Sequence, residues 1–405
     1  MVKILTGIRR GGKSHLLHLM IEYLKNQGVD SEHIIYHNFE NLTLPELYKK
    51  NELQKYIDGL LQNEGKFYIF LDEIQVIPGW EKTLPLFFPE QRIEFFVAAS
   101  GTSLKKIAKR KEKYVDGNYT EIQINPLSYS EYRKAQKEVP HENRGLLQRA
   151  IAIRIESRAV FTKYIQCGGF PAALCRDDTE KKTALNDIYA SVVFYDVISK
   201  HKINNPELLA KVIQYIFQHI GSEASAKKLK DFFISKRYTK DLSKIQSYLN
   251  HLEEAFFLKK IRRINIKTKK VQRIKPKYYA GDHALISSVC GNNGPEPCSI
   301  MENILVNELE NRGFTVYCGS VNKSIIEFVA EKENTLLFIQ TVNHIRDNIR
   351  TLNEKLSALN DIPIINEQVR KVKYLLFFGE TEDIEQIHGD IKQLSLNDFL
   401  LSGEY

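Results

Sequence analysis

The chain has 405 residues, of which 43% are hydrophobic and 27% are charged, and its formal net charge is +8. This composition is typical of a globular protein with two or three domains. No window approaches the ~18 consecutive apolar residues of a membrane span, so we expect no integral membrane protein. The five cysteines form no CxxC pair, which argues against a disulfide framework or a zinc site and predicts reduced thiols.

The first residues lead directly into a strand pattern, with no apolar signal region, so a cytoplasmic location is expected. The positive charge is concentrated in one segment. Residues 227–277 contain 17 Lys and Arg against 4 Asp and Glu, a local charge of +13, which leaves about −5 for the rest of the chain. The sequence therefore predicts one basic module within an otherwise slightly acidic protein.

Residues 1–127 alternate short apolar runs with helical stretches, which is the pattern of a parallel sheet covered by helices on both faces. The segment 128–204 is mostly helical. Residues 205–289 contain three helical patterns followed by two strands with a basic turn, which predicts a winged helix. After a Gly-, Asn- and Pro-rich linker, residues 290–405 again mix strands and helices. We therefore expect an α/β protein with four segments.

A phosphate-binding motif, GxxxxGK[ST], spans residues 7–14 as GIRRGGKS, between a predicted strand and a predicted helix. The backbone N–H groups of such a loop surround phosphates, and the positive end of the helix dipole faces them. Lys13 is expected to neutralise the β- and γ-phosphates, and the Ser14 hydroxyl to bind Mg²⁺. The predicted contacts of an ATP molecule are Gly7, Arg10, Gly11, Gly12, Lys13, Ser14 and His15.

Two carboxylates follow the apolar run of a predicted buried strand, in FYIFLDEIQ at 67–75. Strand ends beside a phosphate loop are where an open α/β sheet binds its ligands. Asp72 is therefore expected to hold Mg²⁺ through water, and Glu73 to activate the attacking water as a general base. A hydroxyl at the end of the next strand, Thr102 or Ser100, is expected to bond the γ-phosphate or this water, and we assign Thr102 to the catalytic set.

These motifs, in their order and spacing, resemble those of a large prokaryotic family of predicted AAA-type ATPases, a P-loop NTPase class. In that family the ATPase precedes a winged helix and a C-terminal domain with a restriction-endonuclease-like core. The resemblance covers nearly the whole chain and implies ATP and Mg²⁺ as cofactors. It is carried by GIRRGGKS (7–14), NFEN (38–41), LDEIQ (71–75) followed by Trp80, SGTS (100–103), INPLSYSEY (124–132) and YIQCGGFPAAL (164–174).

The chain departs from the family pattern at two places. The family has a segment before the first strand that helps to hold the adenine, whereas here Met1 adjoins that strand. The family also has a Gly-Arg pair before the PLS motif, where this chain has Gly117-Asn118. Loss of that Arg predicts slow turnover. AAA-type sites often take an Arg from a neighbouring subunit in an oligomer, and Arg9, Arg10 and Arg92 are unassigned candidates.

The basic module admits two interpretations. In the first, Lys244 and Gln246 enter the major groove of DNA while Lys267, Lys269, Lys270 and Arg273 contact phosphates from the hairpin, within a DNA-binding segment at 227–277. In the second, the module packs against a protein partner or another domain, with an apolar core formed by Ile245, Leu249, Leu252, Phe256 and Phe257.

The resemblance also implies positions for a metal site in the C-terminal domain: Glu302, Glu327 and Gln340. The lysine expected two residues after Gln340 is replaced by Val342, whose side chain carries no charge and cannot donate a proton. We therefore expect this domain to be catalytically inactive. The favoured hypothesis is an ATP-binding AAA-type protein with slow Mg²⁺-dependent hydrolysis, the alternative is a non-catalytic nucleic-acid-binding or scaffold protein, and a metal-dependent nuclease is the least favoured.

Overall fold

The computed structural model describes residues 2–40, 47, 52–61, 63–102, 119–135, 158–174, 178–239, 241–321, 324–343, 347–363, 369–378 and 389–403. The described chain divides into two compact units. The first comprises Met1–Pro126, Ala190–Ile203 and Glu254–Phe257, and the second comprises Leu127–Tyr189, Asn204–Glu253 and Leu258–Tyr405. The pair Gly117-Asn118 lies outside the described residues.

The first unit is built on a five-stranded sheet in the order β2-β3-β4-β1-β5, in which all neighbouring strands are parallel. The α/β fold class predicted from the sequence is confirmed. The strands are β1 (Val2–Gly7), β2 (Ile34–Asn38), β3 (Phe67–Asp72), β4 (Ile93–Ser100) and β5 (Tyr119–Gln123). The helices are α1 (Lys13–Asn26), α2 (Glu52–Leu60) and α3 (Trp80–Thr83), and a π-helical segment spans Val192–Ser199, named here the 192–199 helix.

Two apolar layers cover the faces of this sheet. Ile69 and Phe95 belong to a core on one face, whereas Phe70 and Phe96 stack on the other with ring centroids 4.7 Å apart, near Leu17 of α1. Because both faces are buried, the strands are continuously apolar instead of alternating. All strands run in the same direction, so the residues that follow β1, β3 and β4 meet at one edge of the sheet.

The second unit contains a seven-stranded mixed sheet in the order β12-β11-β10-β9-β8-β6-β7. Its helices and strands, in chain order, are α4 (Tyr129–Ala135), α5 (Asp178–Ser191), α6 (Pro206–Gln218), α7 (Ala226–Ser235), α8 (Leu242–Glu254), β6 (Leu258–Asn265), β7 (Val271–Ala280), α9 (Ala284–Cys290), α10 (Pro297–Asn311), β8 (Thr315–Val321), β9 (Ser324–Lys332), β10 (Thr335–Val342), α11 (Ile349–Asn360), β11 (Arg370–Phe377), β12 (Ile391–Ser395) and α12 (Leu396–Leu401). Residues 158–167 are also helical.

The basic hairpin β6-β7 is part of this sheet. Strand β6 pairs antiparallel with β7 and parallel with β8, in a register that joins Arg262 to Tyr317. The boundary predicted between residues 289 and 290 therefore lies between strands that share one sheet, an arrangement that the local patterns do not indicate. Four of the cysteines are free thiols, and Cys175 lies outside the described residues. Within the described ranges, no helix combines the length and apolar character required to cross a membrane.

Candidate nucleotide site

The phosphate loop connects β1 to α1 and depends on glycine at both ends. Gly7 has φ 136°, and a Cβ there would lie 2.1 Å from the carbonyl oxygen of Ile124. Gly12, the N-cap of α1, is left-handed with φ 107°. Neither position accepts another residue without strain, because a side chain disfavours positive φ. Gly11 is buried between them, whereas Arg10 and His15 are exposed.

Lys13 is buried at the start of α1 and bends back over the loop. Its Nζ donates to the carbonyl oxygen of Ile8 at 2.8 Å and to that of Gly7 at 3.4 Å. Burial lowers the pKa of Lys13, and the negative charges of Glu73 and Asp196 oppose this effect. The ammonium group is thus held at the centre of the loop, where the motif predicts phosphate oxygens.

Ser14 lies in the first turn of α1 and Asp72 is the last residue of β3, at the same edge of the sheet, and the Ser14 side chain opposes the rise that burial causes in the pKa of Asp72. Asp72 is fully buried. Its Oδ2 accepts the hydroxyl of Tyr36 at 3.0 Å, and its Oδ1 accepts the N–H of Glu73 at 3.0 Å. Burial raises the pKa of Asp72, and burial and the Asp72 charge raise the pKa of Tyr36 to about 12.

A hydroxyl and a carboxylate at the same edge of the sheet offer hard oxygen ligands, which suits Mg²⁺ because this ion is usually bound by one or two protein oxygens together with phosphate and water. The predicted metal ligands, Ser14 and Asp72, therefore fit the ion. Tyr36, which orients Asp72, is a site residue that the sequence did not reveal.

Glu73 follows β3 in the left-handed conformation, with φ 53°. This conformation is uncommon for a residue with a side chain and turns Glu73 toward the end of β4. Its Oε1 accepts the hydroxyl of Ser100 at 2.7 Å, and its Oε2 accepts the side-chain amide of Gln75. Gln75 also accepts the N–H of Ser100 at 3.1 Å.

The hydroxyl that contacts the candidate base is thus Ser100, the last residue of β4. Thr102, the residue that the sequence analysis places in the catalytic set, lies two residues further along the chain and is half-buried. The two hydroxyls differ in position because β4 ends at Ser100, before Thr102. Because Ser100 is still part of β4, it pairs with Gly7 of β1 at the edge of the sheet and contacts Glu73, whereas the chain has already turned at Gly101.

Arg9 and Asp196 form a buried ion pair beside this site. The Nε and Nη2 atoms of Arg9 donate to the two carboxylate oxygens of Asp196, both at 3.0 Å. Nη2 also lies 3.6 Å from Oε2 of Glu73, and Nη1 contacts Glu40. Burial lowers the pKa of Arg9, but the hydrogen bond and charge of Asp196, together with Glu73 and Glu40, outweigh burial and raise it.

The sequence did not indicate a role for Asp196. It is buried in the middle of an apolar run, VVFYDVIS, and burial raises its pKa although Arg9 opposes this. A single carboxylate within such a run was the available signal, since buried acids are nearly always paired.

The basic segment 227–277 carries much of its charge on exposed side chains. Lys227, Lys228 and Lys230 are exposed on α7, and Lys267, Lys269 and Lys270 are exposed in the turn between β6 and β7. On α8, Ile245, Leu249 and Leu252 are buried, as is Phe257 after it, which confirms these four as core residues, whereas Phe256 is only half-buried. Lys244 is half-buried, and the exposed Gln246 donates to Asn250 at 3.2 Å.

The predicted metal residues of the C-terminal domain are engaged in local contacts. Glu302 accepts the hydroxyl of Tyr279 at 2.8 Å. The Gln340 amide donates to the carbonyl oxygen of Ile325 at 2.8 Å and accepts the N–H of Glu327 at 3.2 Å. Val342 is buried in the apolar core of this region.

Glu327 finds a lysine on a different element. Lys355 of α11 lies 3.2 Å from Oε1 of Glu327 and 2.8 Å from Oδ2 of Asp347. The hydroxyl of Thr341 donates to Oε2 of Glu327 at 2.6 Å. Both oxygens of Glu327 are therefore bound by groups of the protein, and the predicted loss of nuclease activity remains a prediction.

Two family models match parts of the chain. The model of an AAA domain matches residues 1–133, and that of a domain of unknown function (DUF8612) matches residues 158–296. The part of the chain that matches the AAA model contains the phosphate loop, Asp72, Glu73 and Ser100.

Two curated relatives are uncharacterized proteins. The chain is 29% identical to one from Haemophilus influenzae over 348 residues, which cover 86% of this chain and 84% of that protein. It is 25% identical over 411 residues to MJ1544 of Methanocaldococcus jannaschii, with 97% and 85% covered.

Solved structures show weaker likeness. The Aeropyrum pernix ORC2 protein in ADPNP-ADP complexes has a TM-score of 0.37 and 11% identity, covering 77% of this chain and 89% of that one. The Aeropyrum pernix ORC1 protein in complex with DNA has a TM-score of 0.32 and 14% identity, covering 77% and 88%. At such TM-scores the likeness carries no functional argument.

Proposed function

We propose that the protein is a Mg²⁺-dependent ATPase of the AAA type. ATP would bind to the loop at residues 7–14, with Lys13 on its β- and γ-phosphates. Ser14 and Asp72 would hold Mg²⁺, which supplies charge neutralisation of the phosphates when bound. Glu73 would orient the attacking water and accept its proton, with Ser100 holding the carboxylate.

The observation that supports this proposal best is the convergence of three strand ends. The loop after β1, Asp72 and Glu73 after β3, and Ser100 at the end of β4 are joined by the Arg9–Glu73 ion pair, the bond from the N–H of Glu73 to Asp72 and the bond from Ser100 to Glu73. An isolated glycine-rich turn would not require a buried carboxylate opposite its serine. A group with separate candidates for phosphate, metal and water is what phosphoryl transfer requires.

Nucleotide binding and turnover test the proposal separately. Lys13→Ala should abolish binding of ATP and Mg²⁺, whereas Glu73→Gln should bind ATP and lose turnover. Turnover of the wild type should be measured against protein concentration, since a rise per subunit would indicate an Arg supplied by a neighbouring copy. Lys25→Ala, an exposed change at the other end of α1, is the matched control. Unchanged ATP affinity in Lys13→Ala would refute the nucleotide site.

We further propose that the exposed lysines of the basic segment contact nucleic acid and that this module is a winged helix. The three helices α6, α7 and α8 followed by a basic hairpin support it, as do the exposed Lys267, Lys269 and Lys270 in the turn. Phosphate contacts release counterions, so log K should fall with log salt by roughly 0.9 for each phosphate neutralised.

A salt-titrated DNA-binding measurement distinguishes this role from protein docking. Replacing Lys267, Lys269 and Lys270 by Ala should reduce the salt slope by roughly 2 to 3, whereas replacing the exposed Lys25 and Lys55 should leave it unchanged. Wild-type affinity in the hairpin variant would favour a protein partner. DNA binding without any ATP turnover would favour the scaffold alternative.

A further inference from the structure

Arg9 has its guanidinium enclosed at the end of the nucleotide site where the candidate base lies. Asp196 binds it through two parallel hydrogen bonds of 3.0 Å, and Oε2 of Glu73 lies 3.6 Å from Nη2. The ring of Tyr195 lies against the guanidinium, 5.2 Å from ring centroid to Cζ. A two-point contact and an aromatic face leave the guanidinium plane little freedom to rotate.

The 192–199 helix is packed closely enough to fix Asp196. Gly101 has φ 59°, and a Cβ there would lie 2.8 Å from Cβ of Asp196. One helical turn after Asp196, the Nζ of Lys200 donates to the carbonyl oxygen of Gly101 at 2.5 Å. The helix thus contacts Gly101 at two points, so Asp196 is positioned by the residue that directly follows Ser100 at the end of β4.

A purely stabilising role explains this arrangement poorly. Burying a carboxylate and a guanidinium costs several kcal/mol per ion by the usual order of magnitude, and their attraction often does no more than offset it. An apolar pair would fill the same space at least as favourably. The distinctive consequence of the pair is that an arginine of the phosphate loop is directed to Glu73.

We propose that Asp196 is a positioning residue which holds Arg9 at the terminal-phosphate end of the site, so that Arg9 is the chain's own arginine for a nucleoside triphosphate. The proposal rests on the nucleotide site proposed above. A fixed cation at this end stabilises the negative charge of the terminal phosphoryl group, and it needs no reorganisation as charge develops. The pair Arg9–Asp196 therefore determines selectivity for triphosphate over diphosphate as well as turnover.

The test compares the affinities of a non-hydrolysable ATP analogue and ADP, both with Mg²⁺, by titration calorimetry on the full chain. Arg9→Ala and Asp196→Ala should each weaken the ATP analogue about tenfold or more and ADP by less than about threefold. The double variant should lose no more than either single variant, because both disrupt one unit. Glu40→Gln is the matched control, since Glu40 also contacts Arg9 but its side chain is 46% exposed.

A second variant guards against misfolding. Asp196→Asn keeps the shape and one acceptor oxygen, so its melting curve should be close to wild type while the selectivity still falls. Turnover, where the wild type shows it, should decline in kcat more than in KM for both Asp196 variants.

Each outcome decides a different claim. If the wild type prefers the ATP analogue and folded Asp196 variants keep that preference, Asp196 does not position Arg9, and the ATPase proposal is untouched. If Arg9→Ala also keeps it, the arginine does not contact the terminal phosphate. If the wild type binds neither nucleotide, the nucleotide site itself is refuted, and this inference fails with it. Selectivity lost in both single variants supports the proposal even if the wild type hydrolyses nothing.

Discussion

Replacing Ser100 by Ala is the sharpest test of how Glu73 is held. The Ser100 hydroxyl donates to Oε1 of Glu73 at 2.7 Å, and both residues are buried, so water does not substitute freely for the lost donor. A hydrogen bond to a charged group contributes about 1.5–3 kcal/mol. If the bond is kept in the transition state, its loss lowers kcat roughly 10- to 100-fold, because about 1.4 kcal/mol corresponds to a factor of ten.

The assay is steady-state phosphate release with ATP and Mg²⁺, together with the ATP dissociation constant of each variant. Ser100→Ala should lower kcat and leave ATP affinity within about threefold, because Ser100 contacts the base and not the phosphate loop. Thr102→Ala is the matched control, a hydroxyl two residues away, and should change kcat by less than about threefold. A larger loss in Thr102→Ala than in Ser100→Ala would refute the assignment and restore Thr102 as the catalytic hydroxyl.

Three further predictions concern stability. Gly7→Ala should lower the melting temperature sharply and abolish ATP binding, because its Cβ would lie 2.1 Å from a backbone oxygen. Burial raises the pKa of Asp72, so its ionisation costs stability as pH rises through and above the ordinary value of 3.8. Asp72→Asn should therefore have a higher free energy of unfolding than wild type at pH 7 and lose this difference near pH 3. Urea unfolding at both pH values measures it, and an equal difference at both would contradict the burial argument. Lys355→Met should lower the free energy of unfolding by about 3 kcal/mol, because it leaves the part-buried Glu327 without its cation. The control Arg350→Met breaks a largely exposed ion pair and should change the free energy of unfolding by less than about 1 kcal/mol. Similar losses in both variants would contradict the role of burial.

The features predicted correctly from the sequence are those that depend on local sequence patterns. Strand β3 is apolar over most of its length because both faces of the sheet are covered, and its two carboxylates follow where the strand leaves the core. The phosphate loop needs glycines at fixed separations, so Gly7 and Gly12 identify it without any tertiary contact. The sequence alone could not choose between Ser100 and Thr102, because their hydroxyls are equivalent until the end of β4 is known.

The features that were missed depend on contacts between distant parts of the chain. Arg9 and Asp196 are 187 residues apart, and neither helical nor strand periodicity relates them. The parallel pairing of β6 with β8 likewise joins the basic hairpin to strands beyond the predicted linker. A single sequence contains no record of such pairings, because burial constrains each residue's polarity but not the identity of its partner.

The C-terminal domain shows what a spacing rule can and cannot decide. The rule requires a lysine two residues after Gln340, and the chain has Val342 there, facing an apolar core that would not accept a charge. The carboxylate of Glu327 still needs a cation because it is part-buried, and Lys355 meets this need from α11, where it also binds Asp347. The absence of a lysine from the motif therefore does not mean that Glu327 lacks a lysine partner, since an ion pair requires only a short distance from ammonium to carboxylate and not a fixed sequence spacing. Gln340 is also engaged within the sheet, because its amide oxygen accepts the N–H of Glu327 and its amide nitrogen donates to the carbonyl oxygen of Ile325.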